Sequence, residues 1–336
     1  MAFWLPVIWA GLIAVAVLAY VLLDGFDLGV GILFGVEHDE ADRDLMVNSI
    51  APVWDGNETW LILGGGGLFA VFPKAYGIVM PAFYPLIISM LMALMFRGVA
   101  FEFRFRAVRP ASRRWWDRAF LAGSLVAALC QGMVLGGLLQ GVRVAHGQYA
   151  GGWFDWATPF TLLCGIAVVT GYALLGATWL IWRVEGRLQR AMRRHASRLG
   201  LAVLALILVV SLWTPLLNPV FRHRWFDFPG ILLTSPVPLL VALAAWGFWR
   251  GLRREAEVAP FLYAIALFVL SYAGLGISLW PMMVPPSVSI WQAAAPPASQ
   301  GFLLVGAAVL LPVILGYTGF AYWVFRGKVR PGEGYH

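Results

Sequence analysis

Four acidic residues lie in or beside long apolar segments of this chain, where an ionised group is costly. Asp24 and Asp27 lie in the first apolar segment, and Asp55 and Glu58 lie at the start of the second. Within each pair the spacing is i, i+3, so both members share one face of a helix. An ionisable side chain inside a membrane span costs a few kcal/mol and by default indicates a functional site. These carboxyls are therefore the candidate site.

The third apolar segment ends with Arg97 and Glu102. If the first two segments are antiparallel spans, all four carboxyls lie at comparable depths, and Arg97 and Glu102 lie at the same level. Carboxyls at graded depth in a membrane relay protons. The same groups also suit the hydrogen bonds that hold helices together, or a cation site in a transporter. The residue types alone leave all three interpretations open.

The elements that position these residues are predicted to be membrane helices. Of the 336 residues, 61% are hydrophobic and 12% are charged, whereas a soluble domain carries about 25% charged residues. Apolar runs of about 20 residues recur along the chain, which predicts an all-α, polytopic membrane protein. We predict about nine transmembrane helices, at residues 1–23, 50–72, 78–97, 119–139, 157–182, 199–217, 231–249, 259–280 and 300–325.

The basic residues predict the orientation of these spans. Most of the 24 Lys and Arg residues follow the odd-numbered spans. The opposite side keeps only Lys74, Arg143, Arg222 and Arg224. Positively charged loops stay in the cytoplasm, so we expect the N-terminus outside and the C-terminus inside. The net charge of +7 thus indicates membrane topology and no nucleic-acid partner.

Three segments are less regular. The uncharged apolar part of the second span is Trp60–Phe72. As a helix it is only about 20 Å long, whereas the apolar core of a bilayer is about 30 Å thick. This helix must therefore start near Asn48–Pro52 and take Asp55 and Glu58 into the membrane, or it does not cross. The acidic segment Glu37–Asp44 is expected to be a solvated connector. The uncharged, proline-rich segment Pro281–Gln300 is expected to be an ordered cap lying against the membrane or a partner.

Ligands for a haem or a metal are not expected in this chain. The histidines fall in predicted loops, next to them or at the tail, and none lies in the middle of a span, where a membrane haem ligand would sit. No two histidines have the i, i+4 spacing of a metal site. Cys130 and Cys164 lie in apolar runs without CxxC spacing, so we expect them to be small core residues. The histidines are His38, His146, His195, His223 and His336.

Three stretches of the chain resemble subunit II of cytochrome bd-type quinol oxidases, and especially the cyanide-insensitive branch. They read DGFDLGVG at 24–31, NSIAPxWDGN at 48–57 and FRxxxFEFR at 96–104. Looser matches are GATWL at 176–180, EG at 185–186 and WPxxxP at 280–285. Long runs with fixed spacing across three spans do not arise from composition, so the first hundred residues carry the most specific part of this resemblance.

The resemblance implies a heterodimer in which subunit I holds the haems, of types b and d, and the quinol-oxidising loop. Subunit II would then bind no haem, and would form one integral membrane domain over 1–336, with two four-helix bundles and one peripheral helix. The complex, in the bacterial cytoplasmic (inner) membrane, would oxidise quinol, reduce O2 to water and take protons from the cytoplasm. Small single-span subunits are further partners in the family. Some members hold a structural quinone in subunit II, for which no residue here marks a pocket.

The resemblance also implies roles for individual residues. Glu102, where some members have Asp, and Asp55 would line a proton path from the cytoplasm toward the haems of subunit I. Trp60 would lie beside an apolar route for O2. The supporting carboxyl cluster would comprise Asp24, Asp27, Glu58 and Arg97.

Two other functions stay open on these residues. In a proton- or sodium-coupled secondary transporter, Asp24, Asp27, Asp55 and Glu58 would form the ion site, and the protein would work without a haem-bearing partner. In an assembly scaffold, every buried carboxyl would be structural.

Overall fold

The computed structural model describes residues 3–330. This part of the chain is almost entirely helical, because apolar segments in a membrane must satisfy their backbone hydrogen bonds internally. The helices are α1 (Trp4–Leu33), α2 (Glu40–Ile50), α3 (Trp54–Val71), α4 (Pro73–Arg106), α5 (Pro110–Gln140), α6 (Pro159–Arg183), α7 (Gly186–Leu217), α8 (Pro219–Phe226), α9 (Gly230–Thr234), α10 (Pro236–Arg253), α11 (Ala259–Leu279), α12 (Ile290–Ala293) and α13 (Pro297–Val324). Two short antiparallel hairpins pair β1 (Val144–Ala145) with β2 (Gln148–Tyr149) and β3 (Met282–Val284) with β4 (Val288–Ser289).

The all-α membrane fold is confirmed. Among residues 3–330, eight helical segments are long and apolar enough to cross a membrane, namely α1, α4, α5, α6, α7, α9 continued by α10, α11 and α13. The predicted second span corresponds to α3, which is not among these eight. Its helix begins at Trp54, two residues beyond the expected range Asn48–Pro52, and a crossing of the membrane by α3 stays a prediction. The count of nine spans stays a prediction.

The short helix α3 runs antiparallel to α1 along much of its length. Asn57, in the first turn of α3, reaches the carbonyl oxygen of Leu23 at 3.4 Å. Further along α3, Gly64 and Gly67 face Val17 and Ile13 of α1. With 18 residues, α3 extends about 27 Å at 1.5 Å per residue. It therefore follows α1 through most of the apolar depth, with Asp55 and Glu58 at the end nearest the charged half of α1.

The long helices pack in two groups. Helix α1 lies against α3, α5 and α6, and α4 lies against α5. Helix α6 also packs against α7 and α11, and α10 packs against α11. Helix α13 contacts α1 and α3, but no residue of its most apolar window is buried. These contacts are compatible with two bundles and a peripheral helix, and that arrangement stays a prediction.

The closest backbone approach in this packing is between α1 and α6. A Cβ atom added at Gly29 would overlap the carbonyl oxygen of Tyr172, and one at Gly176 would overlap the carbonyl carbon of Gly29. Small residues allow such contact between membrane helices, which gain packing and polar contacts instead of a hydrophobic driving force. Both glycines fall in stretches that carry the family resemblance. Glycine at these two positions has a steric reason, because a larger residue would overlap the backbone of the facing helix.

We expect Gly29→Ala to destabilise the protein by about 1–3 kcal/mol, because α1 and α6 must separate to admit the methyl group. Thermal unfolding of the purified protein measures the effect. The matched control is Gly11→Ala, since Gly11 lies on the same helix with no atom within 4 Å of the added methyl group. Equal melting temperatures for the two variants would contradict the proposed tight α1–α6 contact.

The acidic segment Glu37–Asp44 is not the predicted solvated connector. Arg43 donates to Asp117 at 3.0 Å, and the buried Arg104 donates to both Asp117 and Asp44 at 2.6 Å. Glu37 is buried and pairs with Arg187 at 3.0 Å. Arginines from α4, α5 and α7 thus surround the segment, which begins α2 and leads into α3. The sequence shows the acidic segment and the basic residues of the other helices, but it does not show that they come into contact.

Hydrogen bonds to Glu37 show how firmly this segment is held. Burial raises the pKa of Glu37, but the amide groups of Asp39 and His38 and the Arg187 guanidinium donate to its carboxylate, and the net effect lowers the pKa. A carboxylate with several charge-assisted hydrogen bonds stays ionised. The turn between α1 and α2 is therefore an anchored connection.

The proline-rich segment Pro281–Gln300 is ordered, as predicted, but it covers the helices of this chain itself. The amide of Ala295 donates to the carbonyl oxygen of Val71 at 2.8 Å. The indole of Trp9 donates to the carbonyl oxygen of Gln300 at 3.1 Å. The segment thereby joins the start of α1 to the end of α3, at the opposite end of α1 from Asp24 and Asp27.

Candidate functional site

A buried arginine lies at the centre of the candidate site. Arg97 on α4 and Asp24 on α1 are both almost fully buried, and Arg97 Nη1 lies 2.9 Å from Asp24 Oδ1. The same nitrogen lies 3.5 Å from Glu58 Oε2 on α3, and Glu58 is partly exposed. We call Arg97, Asp24 and Glu58 the Arg97 cluster. It joins three helices, and each residue was a sequence-predicted member of the supporting cluster.

Asp27 is held by a different set of contacts. The Asn57 side-chain amide donates to Asp27 Oδ2 at 2.8 Å, and the Tyr322 hydroxyl donates to Asn57 Oδ1 at 2.8 Å. Asn57 thus links α1 to α13, which lies 265 residues further along the chain. The NSIAPxWDGN stretch contains Asn57, but its partner Tyr322 could not be identified from sequence.

Several buried polar atoms near Arg97 have no hydrogen-bond partner among residues 3–330. They include Asp24 Oδ2, Asp27 Oδ1, and the Nε and Nη2 atoms of Arg97. Buried polar groups are normally paired, so atoms of this kind need a functional or structural reason. Each free carboxylate oxygen can accept a proton without loss of an existing hydrogen bond, which is a property that a relay requires.

A polar chain continues from Asp24 into the bundle, and the sequence analysis missed it. The Tyr172 hydroxyl donates to Gln131 Oε1 at 2.7 Å, and the Gln131 amide donates to the Tyr20 hydroxyl at 2.7 Å. Tyr20 lies four residues before Asp24 on α1, so its hydroxyl is on the same face of the helix as that carboxyl. The i, i+4 spacing of Tyr20 and Asp24 was the available signal. Gln131 was visible as an amide inside a predicted span.

Asp55 and Glu102 lie apart from the buried carboxyls. Both are exposed and line a cavity of about 290 Å³ between the start of α3, the end of α4 and α13. This placement is compatible with the predicted grouping of Asp55 with Glu102, apart from the supporting cluster, and the roles of these residues stay predictions. Asp55 is in the first turn of α3 and lines the cavity, whereas Glu58 on the same helix lies 3.5 Å from Arg97.

The cavity and the buried groups share a wall. Trp54 lines the cavity, and its ring lies 5.8 Å from the guanidinium carbon of Arg97. Asn57 and Tyr322 also line the cavity while they hold Asp27. The sequence-predicted proton-path residues are thus separated from Asp24 and Asp27 by a single layer of side chains.

Trp60 is buried in a small apolar cluster. It packs with Ala16 and Tyr20 of α1, and the partly buried Leu311 and Ile314 of α13 lie against them. In the described part of the chain, the indole nitrogen of Trp60 has no hydrogen-bond acceptor. Trp60 therefore lies one turn beyond Asn57, at the junction of α1, α3 and α13.

Metal-ligating side chains do not converge in the described part of the chain. Among residues 3–330, no group of three His, Cys, Asp or Glu side chains could hold a metal ion. His38 precedes α2, His146 lies between β1 and β2, His195 lies in the arginine-rich first half of α7, and His223 lies in α8. His336 lies outside the described residues. Cys130 and Cys164 are buried and unpaired, as expected of core residues.

Comparison with known proteins agrees with this fold along its whole length. The model of the family "Cytochrome bd terminal oxidase subunit II" matches residues 5–325. Cytochrome bd-I ubiquinol oxidase subunit 2 of Escherichia coli (strain K12) is 31% identical over 364 residues, which cover 96% of this chain and 94% of the relative. Cytochrome bd ubiquinol oxidase subunit 2 of Bacillus subtilis (strain 168) is 28% identical, with 97% of each chain covered.

A solved structure has the same fold. The structure of bd oxidase from Geobacillus thermodenitrificans superposes with a TM-score of 0.72 at 17% sequence identity, and the match covers 95% of this chain and 98% of that chain. At this identity the likeness concerns the fold. The family model, which spans nearly the entire chain, carries the assignment: this chain belongs to the cytochrome bd terminal oxidase subunit II family.

Proposed function

We propose that this chain is the haem-free subunit II of a bd-type quinol:O2 oxidoreductase in an aerobic respiratory chain. It would form one integral membrane domain that assembles with a haem-bearing subunit I and delivers protons to the haems b and d of that partner. Family membership supports the oxidase subunit, and the names of the Escherichia coli and Bacillus subtilis relatives support quinol as the donor. The positions of the described histidines, outside the middle of the long apolar helices, support haem ligation by the partner alone.

The observation that carries the proton role is the cavity lined by Asp55 and Glu102. Two exposed carboxyls at the mouth of a polar interior suit the capture of protons from water. Glu58 is the member of the Arg97 cluster with the greatest exposure, so it is placed to pass protons between the cavity and Asp24. Asn57 is an amide and is not a relay group, so its role is to position Asp27.

The ends of the helices support a cytoplasmic location for this cavity. Arg104 pairs with Asp44 of α2, and Arg187 pairs with Glu37 between α1 and α2. Lys328 pairs with Glu257 at 2.5 Å. The basic ends of α4, α7 and α13 and the α10–α11 turn therefore come together on one side. By the positive-inside rule this side is cytoplasmic, with the N-terminus of α1 outside and the C-terminus inside.

Trp60 fits a route for O2 because its surroundings are apolar and reach α13, whose apolar surface is unburied in this chain. O2 is apolar and partitions into such packing between helices. We propose that α13 faces subunit I and that O2 enters the complex along it, with the buried Trp60 beside the route. Small single-span subunits and a structural quinone are not assigned to any surface of this chain.

The proposed function is tested by purification of this chain from its native membranes in mild detergent, followed by a reduced-minus-oxidised spectrum. We expect a larger haem-bearing membrane subunit with b-type and d-type absorbance bands to copurify. Expressed without that subunit, this chain should show no haem absorbance. A monodisperse, colourless protein that drives ion-coupled uptake would support the transporter instead, and a stoichiometric haem on the isolated chain would contradict haem ligation by the partner alone.

A further inference from the structure

We propose that the groove between α10 and α11 binds one acyl chain of an anionic phospholipid, and that the arginines at the adjoining α10–α11 turn bind its phosphate. This site is at some distance in the fold from the Asp55 cavity. It does not rest on the proposed proton path.

The groove is a long apolar depression on the surface of the second helix group. It has a volume of about 530 Å³. Leu243 and Trp246 on one wall are more than half exposed, as is Leu262 on the other. The lining residues include Leu240, Leu243 and Trp246 of α10, and Leu262, Ala266 and Val269 of α11. A concave surface of this composition suits a flexible hydrocarbon chain.

The groove ends close to the turn between the two helices. Gly247 of α10 faces the ring of Tyr263, and Gly251 faces Ala259 and Pro260 at the start of α11. Trp246 therefore lies about two turns before the end of α10 at Arg253, and Leu262 lies about one turn after the start of α11 at Ala259. An acyl chain in the groove would place its headgroup at the level of that connection, where Trp side chains are enriched in membrane proteins.

The face of α10 that lines the groove, which we call the stripe, continues beyond the groove with basic side chains. Arg250 follows Trp246 by four residues, about 6 Å along the helix, and its guanidinium carbon lies 5.1 Å from the Trp246 ring centre. Arg253 and Arg254 follow and are exposed. The stripe thus changes from apolar to cationic at the depth where a phospholipid changes from acyl chain to phosphate.

The other charges at this turn are already engaged, with one exception. Arg193 of α7 donates to the carbonyl oxygens of Glu255 and Ala256 at 2.7 and 3.0 Å. Glu257 is bound by Lys328 and by Gln189. Glu255 is the exposed acid in this turn, next to Arg253 and Arg254 in the sequence. An excess of positive charge therefore remains beside the groove and selects an anionic headgroup.

This charge pattern favours a lipid over a transmembrane helix of another protein. A helix seated on the groove would use its apolar walls but not the arginines at its end. An anionic phospholipid of the cytoplasmic leaflet uses both features at once, because its apolar and charged parts have the same order as the stripe. One arginine near an anionic lipid surface contributes a factor of about five in affinity.

The test is a titration of the purified complex, after delipidation, with phosphatidylglycerol or phosphatidylcholine, with bound lipid counted by native mass spectrometry. We expect phosphatidylglycerol to bind more tightly, and Arg250→Gln with Arg253→Gln to weaken it by about 25-fold while phosphatidylcholine binding changes little. The matched control is Arg326→Gln, because Arg326 lies 4.9 Å from the ring of Trp323 at the end of α13, outside this groove.

A second variant tests the apolar part of the site. Ala266→Phe fills the groove from α11 and should abolish tight binding of phosphatidylglycerol with all arginines intact, at an unchanged melting temperature of the complex. The proposal is overturned if Ala266→Phe and the double arginine variant bind phosphatidylglycerol as the wild type does. It is also overturned if the wild-type complex binds both lipids equally, or if a further polypeptide occupies the groove in the purified complex. The effect of substitutions at Asp55 on the rate of quinol oxidation has no bearing on any of these outcomes.

Discussion

Arg97→Met is expected to be the most damaging single substitution for the assembly of this protein. Arg97 is the cation that pairs with both Asp24 and Glu58, and Asp27 has one oxygen without a partner among residues 3–330. Removal of one partner from a buried ion pair leaves an uncompensated charge and costs about 3–5 kcal/mol. We expect the yield of assembled complex and its melting temperature to fall together, as measured by size-exclusion chromatography and thermal unfolding.

Two further variants separate charge from bulk at this position. Arg106→Met removes an exposed arginine from the same helix and should leave the complex intact. Arg97→Met combined with Asp24→Leu removes both charges of the shortest contact and should recover part of the lost stability, since apolar replacement of a whole buried pair is often tolerated. A complex with Arg97→Met alone that melts like the wild type would refute the structural importance of this ion pair.

Asp55→Asn combined with Glu102→Gln is expected to slow quinol oxidation by the complex by about tenfold to a hundredfold, while the haem spectrum stays unchanged. The two amides keep the size and polarity of the cavity but cannot bind and release protons. Each single variant should have a smaller effect, because Asp55 and Glu102 line the same cavity and one carboxyl partly replaces the other. The measurement is O2 consumption with excess quinol, together with the haem content.

The controls keep a carboxyl in the cavity or remove one elsewhere. Glu102→Asp should retain most of the activity, because the carboxyl group persists on a side chain one methylene shorter. Glu40→Gln, at an exposed carboxyl on α2, should have no effect on turnover. Full activity of the double amide variant would exclude the cavity as the main proton path, and loss of haem would show that the two carboxyls act in assembly.

The sequence by itself determined the class of protein and its helical segments. A low content of charged residues and apolar runs of about 20 residues leave few alternatives to a helical membrane protein. A bilayer admits only segments that satisfy their own backbone hydrogen bonds. The fixed spacing of residues such as Asp24, Asn57 and Arg97 was sufficient to indicate the family. The cyanide-insensitive branch, the individual site roles and the count of nine spans remain predictions.

The tertiary structure decided which charged residues meet. It separated Asp55, which faces a cavity, from Glu58, which turns toward Arg97, although the two are only three residues apart. It also brought Tyr322 to Asn57 and enclosed Glu37 and its neighbours among arginines of other helices. Periodicity along one helix predicts a shared face, but not which neighbouring helix covers that face. That choice follows from the packing of all helices together, and above all from the close contact at Gly29, which sets the position of α1 against α6.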